Sequence, residues 1–346
     1  MAEWAGFRST SGCSGWSARG GQTYGPFVGG SKASGSSSGS AIATALGLCF
    51  AAIGTETCYS IVSPAEKSGV VGYKPTRDLI PSKDIIYVSK KQDTVGVLAR
   101  TVQDAAHITL LLTASSAIAN SSRHLTDESR SEFLQGFHTV ANSSLIGLRI
   151  GIPWDLIQLE TPPQCRLEAF ERVLFQLEAR GVTIVKDVII QGWCEYEGLS
   201  QDEKQIVLDT DMKTAINEYL GGLNTNPQNI KNLADLVAFI KTCPEEDYPA
   251  RNAVGLERAQ ATDRNDGTLY MAMSEKDKFF AGCIESTLNQ YDCDVLFTPV
   301  LSIAFQTFAA KAGSPVISVP MGIYPHGFPV EIDSKNSLIA AAPGIP

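Results

Sequence analysis

Two serine-bearing loops carry the residues of this sequence best suited to covalent chemistry. The first loop covers residues 29–40 and interleaves glycine with serine, at Gly29, Gly30, Gly35 and Gly39 and at Ser31, Ser34, Ser36, Ser37, Ser38 and Ser40. The second loop, residues 54–60, ends at Ser60. Glycine lets a backbone turn sharply and direct several N–H groups at one point, while a serine hydroxyl can react with a carbonyl or relay a proton. This combination is typical of a covalent serine site.

An apolar run between the two loops is the element that must position them. Residues 41–53 are apolar on every face of a helix, which predicts a buried helix. The run is too short to span a bilayer. A buried helix is expected to hold both loops close together at one end of a hydrophobic core.

Further along the chain, strand and helix patterns alternate. Residues 148–152 alternate as a strand does, residues 165–180 place apolar side chains on one helical face, and residues 182–185 predict another strand. This strand–helix–strand order favours an α/β sheet protein. Thr101 and Asp104 form a pattern like a capping box, which predicts a helix to about residue 114.

Three segments, in this order, carry a resemblance to a known family. Residues 35–41 read GSSSGSA, residues 54–61 read GTETCYSI and residues 69–76 read GVVGYKPT, and together they resemble the amidase signature family. Further matches lie at residues 2–8, 15–22, 92–94, 99–104 and 313–322. The likeness covers nearly the whole chain, and several linked motifs in order are far more specific than one alone.

The resemblance implies a fold and an activity. The implied fold is α/β, with a mixed central β-sheet flanked by helices on both faces, and here it is expected to be incomplete. No repeat or shift of composition marks a boundary, so residues 1–346 are interpreted as a single domain. The implied activity is hydrolysis of a carboxylic amide C–N bond through a serine acyl-enzyme, with no metal and no organic cofactor.

The resemblance also assigns roles to individual residues. Ser60 falls on the position of the nucleophile and Ser36 on the position of a serine in a cis peptide linkage, 24 residues earlier, a spacing that fits the family. Ser36 is expected to relay a proton between a lysine base and Ser60. The oxyanion hole is expected to consist of the backbone N–H groups of Thr57, Cys58, Tyr59 and Ser60.

Three departures from the family pattern bear on activity. The lysine base of the family lies well upstream of the Gly/Ser segment, and Lys32, although close to Ser36 in sequence, has no matching motif. Cys58 and Tyr59 stand where the family has small residues, often glycine. The chain ends at residues 344–346, where the family continues into a strand and a helix. We therefore expect a chain truncated at both ends, with doubtful activity; the alternative is a non-catalytic relative that still binds acyl amides, or a fragment.

Two other motifs nearly fit the first loop. Residues 35–39 match G-x-S-x-G, with Ser37 as the nucleophile of an α/β-hydrolase-type esterase and His326 as a conceivable partner. That motif requires a strand immediately before it, and residues 29–34 are a poor strand. Residues 30–35 have the glycine spacing of a phosphate-binding loop, but Ser36 occupies the position of the required lysine, which argues against phosphate binding.

Composition excludes several classes of partner. The net charge of −9 argues against a nucleic-acid surface. The eight cysteines are scattered without a Cys-x-x-Cys pair, which favours reduced thiols over a disulfide framework. The four histidines are widely spaced and predict no metal site, and nothing indicates a nucleotide cofactor.

The resemblance implies a small-molecule amide substrate as the partner, and the apolar runs are too short for a membrane span to be expected. The sequence leaves the oligomeric state and the compartment open. Residues 1–30 lack the apolar segment of a signal peptide, which slightly favours the cytoplasm.

Overall fold

The computed structural model describes residues 5–10, 14–114, 145–262, 267–334 and 337–346, together with 128–129 and 131–132. Its helices are α1 (Ala5–Arg8), α2 (Ser38–Ala45), α3 (Val62–Ser68), α4 (Val102–Ala114), α5 (Trp154–Leu159), α6 (Gln164–Glu178), α7 (Trp193–Glu197), α8 (Gln201–Gly221), α9 (Leu233–Thr242), α10 (Val254–Ala261), α11 (Thr268–Tyr291) and α12 (Ile303–Ala312). Its strands are β1 (Trp16–Ser17), β2 (Gly21–Gln22), β3 (Ala51–Glu56), β4 (Val71–Lys74), β5 (Thr94–Ala99), β6 (Arg149–Gly151), β7 (Thr183–Val185), β8 (Val295–Leu296), β9 (Val316–Ser318), β10 (Glu331–Ile332) and β11 (Ile339–Ala341).

An antiparallel sheet of order β3-β5-β4-β9 carries the serine loops. Every residue of β5 is buried, because helices cover both faces of the sheet. On one face, Leu98 packs against α2 and α3 through Ala41 and Ala65. On the other face, Val97 packs against α4 through Ala105. Burial on both faces explains why β5 is apolar throughout and shows no alternation.

A parallel sheet of order β7-β6-β8 forms the second layer of strands. Helices α5 and α6 lie between β6 and β7 in the chain, and the order β6, α6, β7 confirms the predicted strand–helix–strand unit. Phe170 and Leu174 of α6 pack against Ile150 and Val182 on one side of this sheet. A second core, which includes Phe280 of α11, packs around residues of α5, α7 and α12.

The α/β class is confirmed, with helices on both faces of the antiparallel sheet. Among the described residues the strands are hydrogen-bonded as these two sheets and two short ribbons, β1-β2 and β10-β11. An apolar cavity of about 440 Å³ lies between β8 and β9. None of the helices that the structure describes is long and apolar enough to cross a membrane.

The predicted helix over residues 41–53 is wrong in its second half. Helix α2 ends at Ala45, and Gly47 then takes a φ of +70°, a left-handed conformation that ends the helix. Residues 51–56 form β3, which pairs with β5 over its whole length. A run that is apolar on every side carries no periodicity, so helix and strand were indistinguishable in the sequence. The two serine loops still meet, because β3 returns alongside α2.

The helix predicted from Thr101 to about residue 114 is confirmed as α4, with the Thr101 side chain as its N-cap, although the full reciprocal capping box is not formed. The Asp104 N–H donates to the Thr101 hydroxyl at 3.0 Å, and that hydroxyl donates to the Asp104 carboxylate at 2.7 Å. The two bonds begin α4, which packs on the antiparallel sheet opposite the serine loops.

Candidate active site

The Gly/Ser loop bends sharply immediately before Ser36. The Gly35–Ser36 peptide bond is cis, the geometry that the resemblance implies for this serine. Ser34, on the other side of the bend, has a φ of +61°. Its hydroxyl lies 2.6 Å from the hydroxyl of Ser63 in α3. This contact ties the Ser36 loop to the helix that follows Ser60.

Ser36 and Ser60 lie on the wall of one polar cavity of about 710 Å³. The Ser37 N–H donates to the Ser60 carbonyl at 3.0 Å, so the two chain segments are in direct contact. This approach depends on Gly54, because a Cβ there would lie only 2.6 Å from the Ser37 hydroxyl oxygen. Both Ser36 and Ser60 are half-buried and open to the cavity.

Ser37 occupies a different environment from Ser36 and Ser60. Its side chain is buried, and its Oγ donates to the Thr55 carbonyl and accepts from the Thr55 N–H, each at 3.3 Å. Residues 33–37 form no strand, which the nucleophile elbow would need. His326 is exposed and is not among the described residues that line the cavity. The geometry therefore gives no support to the esterase interpretation.

The Glu56 carboxylate shapes the loop that contains Ser60. Its Oε2 accepts hydrogen bonds from the N–H groups of Ile61 at 2.7 Å and Val62 at 3.0 Å, and the Tyr59 N–H contributes to the same carboxylate. Glu56 is almost completely buried. A buried carboxylate that accepts several backbone hydrogen bonds fixes the turn from β3 into α3.

Lys74 places a second buried charge near Glu56. Burial raises the pKa of Glu56, and the positive charge of Lys74 opposes that rise. Burial likewise lowers the pKa of Lys74, against the attraction of Glu56. The Lys74 ammonium also donates to the carbonyl of Ser314, just before β9. The pair therefore links the Ser60 loop to the antiparallel sheet.

Cys58 and Tyr59 are the two unusual residues of this loop. Burial, and next the charge of Glu56, raise the pKa of the Cys58 thiol to about 12, so this thiol stays protonated and unreactive. Tyr59 has a φ of +71°, a conformation that glycine adopts without strain. An aromatic residue held there costs about 1–3 kcal/mol. The loop does require a positive φ at this position, so Tyr59 carries this backbone strain.

Charged side chains line the rest of the cavity. The three lysines among its described residues each have a carboxylate partner, in the pairs Lys32–Asp333 (2.5 Å), Lys204–Glu197 (3.5 Å) and Lys311–Asp277 (2.5 Å). An ion-paired ammonium has no lone pair with which to accept a proton. None of these three lysines is therefore placed to act as the base for Ser36. Within the described residues no group of three or more His, Cys, Asp or Glu side chains is placed to hold a metal ion.

Asp93 is a cavity residue whose role the sequence did not reveal. Its Oδ2 accepts from the N–H groups of Val88 at 2.6 Å and Ser89 at 3.3 Å, and its Oδ1 is buried as well. Burial raises the pKa of Asp93 to about 6, against the effect of the Thr57 hydroxyl. Residues 92–94 were a family match, but only the folded chain brings Asp93 to Thr57 in the second loop.

Asp93→Asn is expected to stabilise the protein at neutral pH. The pKa of Asp93 is about 6 in the folded chain and 3.8 for the free side chain, so the folded state loses stability as pH rises from about 4 to 6. Asparagine keeps an acceptor oxygen and never ionises. The gain in free energy of unfolding is expected to reach about 2–3 kcal/mol at pH 7.5 and to be much smaller at pH 4.5. Urea unfolding at both pH values checks this, with Asp292→Asn at an exposed site as control; an equal gain at both pH values would contradict it.

Comparison with known proteins identifies the family. A sequence profile of the family described as Amidase matches residues 1–333. A putative amidase of Arthroderma benhamiae is 33% identical over 348 residues, which cover 100% of this chain and 57% of the relative. A probable amidase of Arabidopsis thaliana is 29% identical over 340 residues, covering 96% of this chain and 62% of the relative.

Solved structures give the same result. The peptide amidase of Stenotrophomonas maltophilia is 30% identical with a TM-score of 0.75, over 94% of this chain and 66% of that one. An amidase family protein of Bacillus anthracis shares the fold, with a TM-score of 0.73 at 24% identity, over 95% of this chain and 62% of its own. The fold is an α/β fold of the amidase type. The chain belongs to the amidase family, and it spans less than two thirds of the length of these relatives.

Proposed function

We propose that this chain carries the serine machinery of an amide hydrolase, with Ser60 as the nucleophile and Ser36 as the proton relay. The observation that carries the proposal is the contact between the two serine loops. The Ser37 N–H binds the Ser60 carbonyl, the Gly35–Ser36 bond is cis, and both Ser36 and Ser60 face one cavity. The substrate class is a small carboxylic amide, in keeping with the peptide amidase among the similar structures.

The proposed reaction has two halves. A base removes the Ser36 proton while Ser36 takes the proton of Ser60, and the Ser60 oxygen bonds to the amide carbon. The carbonyl electrons move to oxygen, where N–H groups of Thr57, Cys58, Tyr59 and Ser60 stabilise the charge. The C–N bond then breaks and the nitrogen leaves with the returned proton. Water cleaves the resulting Ser60 ester by the same route.

The Tyr59 N–H has a competing partner in this scheme, since it also contributes to the Glu56 carboxylate. Thr57, Cys58 and Ser60 are therefore the better placed donors of the four. The base is a lysine in the family that the chain resembles. Residues 1–346 are proposed to act as one domain of this type, and the activity and substrates of the whole protein belong to the same proposal.

The second candidate is an amide-binding protein without turnover. The backbone of Tyr59 favours it, because a φ of +71° strains the loop that must supply the oxyanion donors. The ion pairing of the cavity lysines points the same way. The two candidates share the cavity and differ in whether Ser60 forms a covalent bond.

Covalent labelling distinguishes the two functions. A fluorophosphonate is expected to add to Ser60, with loss of fluoride, and peptide mass spectrometry locates the label. Ser60→Ala should abolish labelling, while Ser40→Ala should retain it, because the Ser40 hydroxyl donates to the Ile53 carbonyl. A label on Ser37 would favour the esterase interpretation. Reversible binding of an amide without any labelled serine would favour the non-catalytic candidate.

A further inference from the structure

The side chain of Tyr59 occupies part of the cavity wall directly beside Ser60. Its φ of +71° lies in a region where bulky residues are uncommon, so the loop holds this ring at a conformational cost. The ring is nevertheless largely buried, and burial strongly raises the pKa of Tyr59. A strained, buried aromatic residue indicates that the surrounding walls form a space that fits a ring.

The Tyr59 hydroxyl adds a second, independent observation. It is buried and makes no hydrogen bond of good geometry among the described residues, and the polar group that reaches it is the thiol of Cys58, a weak donor and acceptor. The thiol of Cys58 and the side chain of Tyr196 are its main polar neighbours. A buried hydroxyl whose nearest partner is a weakly hydrogen-bonding thiol is poorly satisfied, so the ring is not optimised for this position as a core residue would be.

The walls of this space are suited to an aryl group. Tyr196 lines the cavity and is held by edge-to-face contacts with Phe280 and Phe308, at centroid distances of 5.4 and 5.5 Å. Thr307 of α12 lines the same cavity and lies 3.8 Å from the Cys58 sulfur. A rigid aromatic wall next to a hydroxyl matches the apolar body and polar tip of a phenol.

We propose that the ring of Tyr59 occupies an aryl-binding subsite beside Ser60, and that an aryl group binds there when the ring is removed. The substrate class that follows is an amide with an aryl group close to the reacting carbonyl, and this part rests on the proposed function. The existence of the subsite does not depend on the proposed function, because its test measures binding and not hydrolysis.

The experiment uses p-cresol, which has the shape of the tyrosine side chain. In Tyr59→Gly, glycine adopts the positive φ without strain and the space is empty. p-Cresol is expected to bind with a dissociation constant on the order of 1 mM and to raise the melting temperature with concentration. Tyr59→Phe is the matched control, since it keeps the ring and removes only the hydroxyl. p-Cresol should leave the melting temperature of Tyr59→Phe unchanged.

Every result decides the proposal. If p-cresol raises the melting temperatures of Tyr59→Gly and Tyr59→Phe equally, binding is non-specific and the proposal is wrong. The proposal is also wrong if Tyr59→Gly folds and p-cresol does not change its melting temperature. If Tyr59→Gly does not fold, Tyr59→Ala is measured in its place. Failure of both to fold even with p-cresol also overturns it, because the space then has no affinity for an aryl group.

Turnover is measured separately, so that the two proposals fail independently. Tyr59→Gly is assayed on benzamide and on acetamide in the presence of ethylamine, which supplies a proton acceptor for Ser36, with Tyr59→Gly/Ser60→Ala as the blank. Binding of p-cresol without amide hydrolysis would support the aryl-binding subsite and contradict the proposed reaction. Ser60-dependent hydrolysis with no preference for benzamide over acetamide would contradict the proposed specificity for aryl amides.

Discussion

Ethylamine is expected to raise the rate of amide hydrolysis by this chain about 10²-fold or more, and Ser60→Ala is expected to abolish the gain. The reason is the state of the cavity lysines. Lys32, Lys204 and Lys311 are ion-paired, so the proposed relay through Ser36 has no proton acceptor among them. The cavity of about 710 Å³ leaves room for a small amine beside Ser36.

The measurement follows release of p-nitroaniline from an anilide. This product counts the acylation step whether water or ethylamine later cleaves the acyl-enzyme. The rate should rise with the concentration of free ethylamine, and therefore with pH at fixed total amine. Tetramethylammonium is the control, because it carries charge but no lone pair. Equal activation by both compounds would show that the effect is ionic and that ethylamine does not act as a base.

The two serines are expected to act as one unit in this assay. Ser36→Ala and Ser60→Ala should each remove the amine-dependent rate, and the double variant should lose no more than either single variant. Ser40→Ala should retain the rate, since its hydroxyl is engaged with the Ile53 carbonyl. Additive losses would indicate that Ser36 acts independently of Ser60, which would contradict a relay.

The pairing of Ser36 with Ser60 illustrates what the sequence could predict. The motifs of the two loops and their 24-residue spacing indicated a shared site, and the folded chain places both on one cavity. The element between them was misjudged, because burial on every face removes the periodicity that separates helix from strand. The two serine loops still lie close together, because a helix followed by a strand that runs back alongside it returns the chain to the end where the helix began.

Other features of the site depend on distant contacts and had no local signal. The positive φ of Tyr59 occurs in a turn where the Glu56 carboxylate accepts from the N–H groups of residues 59, 61 and 62. The Ser34–Ser63 contact joins residues that lie far apart in the sequence. The role of Asp93 likewise depends on a fold that brings residue 93 against residue 57. The sequence motifs indicated which residues belong to the candidate site, while their geometry depends on tertiary contacts.

Glu56→Ala is expected to destabilise the protein by about 3–5 kcal/mol, the largest stability effect predicted for this site. The change removes the acceptor of the Ile61 and Val62 N–H groups, which are buried with it. It also leaves the buried Lys74 ammonium without the carboxylate that offsets its desolvation. Urea unfolding, followed by circular dichroism, gives the difference. The exposed Glu275–Lys278 pair supplies the control, because Glu275→Ala should change stability little.

A double-variant cycle separates the two causes of this loss. Lys74→Met removes the buried charge and keeps the aliphatic volume, and Glu56→Gln keeps an acceptor for the two N–H groups. If charge imbalance dominates, Glu56→Gln/Lys74→Met should recover most of the stability that each single variant loses, because two uncharged residues no longer need each other. If the backbone bonds dominate, Glu56→Gln alone should be nearly neutral. Strictly additive losses would show that Glu56 and Lys74 do not interact, which would contradict the electrostatic link between the Ser60 loop and the sheet.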